Sequence, residues 1–287
     1  MIAHLSGRRH KSRGAWGAAA AVLLALATLT SPANGASLQV VPTSLTLQAR
    51  QNADGLWLSN TGSQPLHAQV RVYRWTQVDG EDRLEPTRDL TVSPPMLQVP
   101  AGERQLVRVI RLGPPPMGVE ASYRLIVDEL PVPASAPAEG SVAADGRAGK
   151  HAGLQFVLRY SLPVFLLPAT PRAPGAAGPA ETALQPDLQI RWVRTGEQTQ
   201  VEVANDGPAH AQIEDLVLVN AAGERQTVRA GLAGYVLPGQ RRRWNLPVTL
   251  HPSASAGGVF KARVNGEFTE RTLLSREPAA TTSGVPR

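Results

Sequence analysis

From Ser37 onward the apolar residues of this chain fall into short runs, many of which alternate with polar ones, and no stretch sustains the helical period of about 3.6, so its cores are expected to be built from strands. Residues 37–47 alternate, with Leu38 and Val40 against Gln39 and then Leu45 and Leu47 against Thr46, and are expected to form one half-buried strand. Residues 55–59 follow, closed by the turn Asn60-Thr61-Gly62. Leu66–Val78 is a longer run with Val70 and Val72 on one parity and Arg71, Tyr73 and Trp75 on the other. Shorter runs are expected at 90–92, 104–112, 123–130 and 154–167. Strands of this length, punctuated by Gly and Pro, point to an immunoglobulin-like β-sandwich.

About 250 residues remain after the first 36, more than one core usually holds, so two domains are expected. Residues 131–152 are rich in Pro, Ala, Gly and polar groups and offer too little apolar surface to offset the entropy of ordering them, which predicts a mobile loop. A second such stretch at 169–183, bracketed by Pro168, Pro171, Pro174 and Pro179, is expected to be the linker between a domain at 37–168 and a smaller β domain at 184–275. In the latter, alternation resumes at 188–193, 200–204, Ala211–Val219, 226–230, 241–246 and Val259–Val264. Turns at Asn205-Asp206-Gly207, Ala222-Gly223 and Pro238-Gly239 separate these runs. The tail at 276–287 reads as disordered.

Residues 1–36 fix the expected compartment. Arg8, Arg9, Lys11 and Arg13 precede the apolar run 15–29, and small residues follow at Ser31, Ala33, Gly35 and Ala36. That order predicts a secretory signal peptide cleaved after Ala33 or Ala36, and the run falls short of the roughly 20 apolar residues of a membrane anchor. No membrane insertion is expected once it is removed. Four of the 29 Lys and Arg residues and none of the 23 Asp and Glu residues lie in the leader, which leaves the remainder at +2. Nucleic acid is therefore not an expected partner, since binding it requires a clustered basic face. The chain has no cysteine, so burial alone holds this exported protein together.

The candidate functional segment is 154–162. Leu154, Phe156, Leu158, Tyr160 and Leu162 share one face of an extended strand that follows directly on the loop, a pattern suited to pairing with a partner chain. Catalytic constellations are missing from the sequence. His67, His151, His210 and His251 are scattered without metal-ligand spacing, and Asp128 and Glu129 point to opposite faces of a strand. There is no nucleophile elbow and no phosphate loop, so neither an enzyme nor a cofactor or metal is expected.

Taken in order, these pieces resemble a known family. They are Leu38-Gln39-Val40-Val41-Pro42-Thr43, Arg71-Val72-Tyr73-Arg74-Trp75 with Asp79-Gly80-Glu81-Asp82-Arg83-Leu84, Ser93-Pro94-Pro95, Val99-Pro100-Ala101-Gly102, Val107-Arg108-Val109, Tyr123-Arg124-Leu125 with Glu129-Leu130-Pro131, the run 154–168, and Gly234-Tyr235-Val236-Leu237-Pro238-Gly239. The chain resembles the PapD-like periplasmic pilus chaperones, in particular the archaic chaperone-usher branch serving spore-coat-U-type pilins. The resemblance implies two immunoglobulin-like sandwiches in a boomerang-like arrangement. It also implies a periplasmic protein without cofactor that binds pilin subunits by donor-strand complementation and delivers them to an outer-membrane usher. Residues 154–162 would be the donor strand.

In many members of that family two basic residues grip the pilin's terminal carboxylate, and the aligned positions here are Ser44 and Pro163, neither of which is a cation. Arg124 is the first candidate for a replacement anchor, because its strand should adjoin the donor strand near the cleft, and Arg71 is the second. The alternative reading is an exported two-domain β-sandwich that is a structural or adhesive component of a surface assembly.

Overall fold

A two-residue period sends every apolar side chain of a run to one face, and two such faces closed on each other make a core. The computed structural model describes residues 37–131, 157–169, 184–195, 198–246 and 258–275. The leader, the loop at 132–152, Leu154, Phe156, the linker at 170–183, His251 and the tail lie outside the described residues. Among the described residues every regular element is a strand.

The first domain is a pair of sheets. One holds β1 (Leu38–Val41), β3 (Ala53–Asn60), β8 (Arg104–Arg111) and β6 (Leu90–Ser93), in that spatial order. The other holds β2 (Leu45–Leu47), β10 (Arg159–Leu166), β9 (Ala121–Leu130), β4 (Leu66–Val78) and β5 (Glu81–Pro86), with β7 (Met96–Val99) also on β4. The single strand expected over 37–47 is corrected to two, since β1 joins β3 while β2 joins β10 in the opposite sheet. Leu38, Val40, Leu45 and Leu47 nevertheless enter one core, because the chain changes layer between the two pairs. Leu56, Leu58, Val107 and Val109 of the first sheet meet Leu125, Val127 and Val164 of the second, all fully buried.

The second domain comprises β11 (Leu188–Thr195), β12 (Gln198–Asn205), β13 (Ala211–Val219), β14 (Arg225–Val236), β15 (Gln240–Asn245), β16 (Val259–Val264) and β17 (Arg271–Ser275). Their order is β14-β13-β16-β17-β11-β12-β15. β17 pairs with β16 and then runs parallel to β11, carrying the ladder from one layer to the other around a core that includes Ile190, Val203, Ile213, Leu218 and Phe260.

Both domains turn the same corner with the same chemistry. In Asn60-Thr61-Gly62 the buried amide of Asn60 donates to the carbonyls of Gln64 (2.8 Å) and Val99 (3.0 Å) and accepts from the Gly62 N–H (2.9 Å). Asn205 repeats this, donating to Ala209 (2.7 Å) and Val236 (3.1 Å) and accepting from Gly207 (3.0 Å). A buried asparagine satisfied on both its donor and acceptor sides pins each turn to a neighbouring strand.

The domains meet along a mixed apolar and polar seat. Trp75 and Phe165 of the first domain pack with Leu237 and Tyr235 of the second. His210 stacks on Phe165 at 3.6 Å and sets its Nδ1 2.9 Å from both carboxylate oxygens of Glu120. The Gln77 side chain donates to the Tyr235 carbonyl (2.8 Å) and accepts from the Leu237 N–H (3.1 Å), and its backbone N–H donates to the Gln240 side-chain oxygen. Arg242 bridges to Asp82 at 3.2 Å.

Candidate functional site

β10 is covered along only part of one margin. It is antiparallel to β9 over its whole length, from Arg159 opposite Asp128 to Leu166 opposite Ala121. On its other margin β2 pairs only with Val164, Phe165 and Leu166. The Glu129 N–H donates to the Leu158 carbonyl (2.8 Å) and the Leu167 N–H to the Leu47 carbonyl (2.9 Å), so even-numbered residues turn their backbone groups to β9 and odd-numbered ones to the margin shared with β2. Among the described residues the N–H groups of Arg159 and Ser161 therefore face a margin with no strand beside it. Pro163, which has no N–H, stands where β2 takes over.

The described side chains of this strand contact the first domain itself. Leu158 and Tyr160 are half-buried against the first domain's own core, and Leu162 is buried within it, on the inward parity of Val164 and Leu166. The Tyr160 hydroxyl also donates to the Leu38 carbonyl at 2.6 Å, tying β10 to the opposite sheet. Leu158, Tyr160 and Leu162 thus lean on their own core, and the same apolarity that suits them to a partner's groove serves their own sandwich. Leu154 and Phe156 lie outside the described residues.

The two candidate cations differ in what holds them. Arg71 lies 2.5 Å from Asp128, whose other oxygen is held by Arg159. Those hydrogen bonds and charges outweigh burial and keep the Asp128 carboxyl below its usual range, so Arg71 is already committed to an internal anion. Arg124 sits opposite Pro163 on one side and Tyr73 on the other. Its guanidinium lies 3.6 Å from the centre of the Trp75 ring and 5.3 Å from that of Tyr235, and its Nη1 donates to the Ser161 carbonyl at 3.4 Å. Burial pushes its pKa down, yet an arginine stays charged. Among the described residues no carboxylate forms an ion pair with it, and Asp82, the acid that acts on it from nearby, is bridged to Arg242. Ser44 is exposed between β1 and β2, and Pro163 is buried in β10.

Several residues here were beyond sequence reasoning. Trp75 shows in the sequence only as the polar-side parity of β4, and its burial depends on Tyr235 and Leu237, about half the chain away. His210 has no partner in its own sequence neighbourhood because Glu120 lies 90 residues earlier. Among the described residues no group of His, Asp and Glu could hold a metal ion.

Residues 37–171 match the family model described as "Pili and flagellar-assembly chaperone, PapD N-terminal domain". No curated protein matches by sequence. By structure, the chain is similar to one in the CsuC–CsuE chaperone-tip adhesion subunit pre-assembly complex from archaic chaperone-usher Csu pili of Acinetobacter baumannii, at 24% identity and a TM-score of 0.63, covering 84% of this chain and 100% of that one. The YadV chaperone is similar at 17% identity and a TM-score of 0.55, covering 83% and 100%. A chain in the complex of the Salmonella enterica SafA pilin with the SafB chaperone is similar at 16% identity and a TM-score of 0.52, covering 83% and 96%. These likenesses extend across both sandwiches and match the all-β, two-domain fold expected from the sequence.

Proposed function

We propose that this chain, whose first domain is that of the pili and flagellar-assembly chaperones, is a periplasmic chaperone that binds pilin subunits through the uncovered margin of β10 and passes them to an outer-membrane usher. The observation that carries this reading is the juxtaposition, among the described residues, of a strand margin left open at Arg159 and Ser161 with a guanidinium in no ion pair, that of Arg124, at the point where that margin ends. A strand added there in line with β2 runs parallel to β10, so its C-terminus arrives beside Pro163 and meets Arg124. A free terminal carboxylate is the anion that fits the place.

Val164, Leu162, Tyr160 and Leu158 contact the first domain's core, and in the sequence the same alternation runs on to Phe156 and Leu154. In the proposed complex Phe156 and Leu154 extend the first domain's core into the subunit's, and the two sandwiches share it. Each such side chain contributes about 1.5 to 3 kcal/mol when buried. Main-chain bonds along Arg159 and Ser161 set the register at about 0.5 to 1.5 kcal/mol apiece. Lending this row also covers an edge on the subunit that would otherwise promote aggregation.

Co-expression with spore-coat-U-type pilins tests the reading. The wild type is expected to co-purify with a pilin, and Phe156→Asp is expected to lose it while keeping its melting temperature. Retained capture by the Phe156→Asp variant would contradict donor-strand binding.

A further inference from the structure

Arg124 belongs to the first domain, yet one of the two rings that hold it belongs to the second. Trp75 of β4 lies under the guanidinium at 3.6 Å, and Tyr235 of β14 faces it at 5.3 Å. The two rings meet edge-on at 5.4 Å. Tyr235 is in turn fixed from both domains, its hydroxyl donating to Gln212 at 3.3 Å and its backbone carbonyl accepting from Gln77 of the first domain at 2.8 Å. The charged groups around this place are spoken for: Asp82 is bridged to Arg242, and Glu120 to His210. No carboxylate forms an ion pair with Arg124 among the described residues, so beside the long bond to the Ser161 carbonyl it is the two rings that orient it, through the attraction of a cation to an aromatic face.

We propose that Tyr235 is a positioning residue for Arg124, aiming its guanidinium at the open margin of β10 only while the second domain is seated against the first. This rests on the reading that Arg124 receives the terminal carboxylate of the subunit. A long, flexible side chain loses rotamer freedom when it grips a ligand, and the ring removes that freedom beforehand. Subunit capture and the relative placement of the two domains are thereby one equilibrium, since loss of the seat also removes one wall of the cation's cage.

The test is a set of dissociation constants for a spore-coat-U-type pilin that co-purifies with the wild type, and for the same pilin lengthened by one C-terminal glycine. Tyr235→Leu, which keeps apolar bulk at the seat but has no ring, is expected to weaken capture by about tenfold, and Tyr235→Phe to match the wild type. Tyr235→Leu combined with Arg124→Ala is expected to bind no more weakly than Arg124→Ala alone. The effect of Tyr235→Leu is expected to vanish with the lengthened pilin, whose carboxylate is displaced. Equal losses from Tyr235→Leu in the presence and absence of Arg124, or a Tyr235→Phe variant as weak as Tyr235→Leu, would overturn the role of Tyr235 while leaving the anchor standing. An Arg124→Ala variant that binds as well as the wild type would instead remove the anchor, and this inference with it.

Discussion

Arg124 and Arg71 look alike in the sequence, each a basic residue in an alternating strand, and what separates them is Asp128, 57 residues from Arg71 in the chain. Sequence spacing does not reveal that pairing, because strand register depends on the partner strand. Arg124→Ala is therefore expected to weaken pilin capture by about tenfold or more, the worth of a hydrogen bond to a charged group, with little change in melting temperature. Arg71→Ala is expected to do the reverse, lowering the melting temperature and sparing capture; a calorimetric scan beside a binding titration separates the two. Tyr123 gives a residue-scale prediction in pH. Its burial, followed by the hydrogen bond it donates to Asp89 at 2.8 Å, pushes its pKa up to about 12. The folded protein thus holds that proton more tightly than the unfolded chain, so stability is complete below pH 10 and is lost as pH rises toward about 12. Urea midpoints measured across that window are expected to fall more steeply for the wild type than for Tyr123→Phe.

Strands with one buried face were legible. Leu66–Val78, Ala211–Val219 and Val259–Val264 carry their period in apolar residues, and the structure has strands with those bounds. Two of the missed elements bury little: every residue of β5 is exposed, and Leu273 alone is buried in β17. Such strands are held by ladder hydrogen bonds to a neighbour, which leave no mark on hydropathy. The break between β1 and β2 was missed for a related reason, since both halves feed one core and so keep one alternation. The same logic puts the largest single cost of truncation at the centre of the stack. Leu125→Ala, on a fully buried side chain of β9, is expected to cost about 2 to 5 kcal/mol in chemical denaturation. A cost below about 1 kcal/mol would mean that the two sheets close up around the gap.

At the scale of the whole molecule, two cores are coupled by the seat at Trp75, Phe165, Tyr235 and Leu237. Two sandwiches could be read from the alternation, but the seat could not, because its members come from four separate strands or turns and their polar partners from others. Gln77 reaches across that boundary with both its amide nitrogen and its amide oxygen. Gln77→Ala is expected to broaden the distribution of interdomain distances in small-angle scattering without shifting the unfolding of either core. The central claim is that a subunit's strand lies along the uncovered margin of β10. Amide hydrogen exchange, residue by residue and with and without a bound pilin, tests it most directly. The N–H groups of Arg159 and Ser161 are predicted to exchange far more slowly in the complex; a complex that forms while those two amides exchange at their free rate would contradict the account.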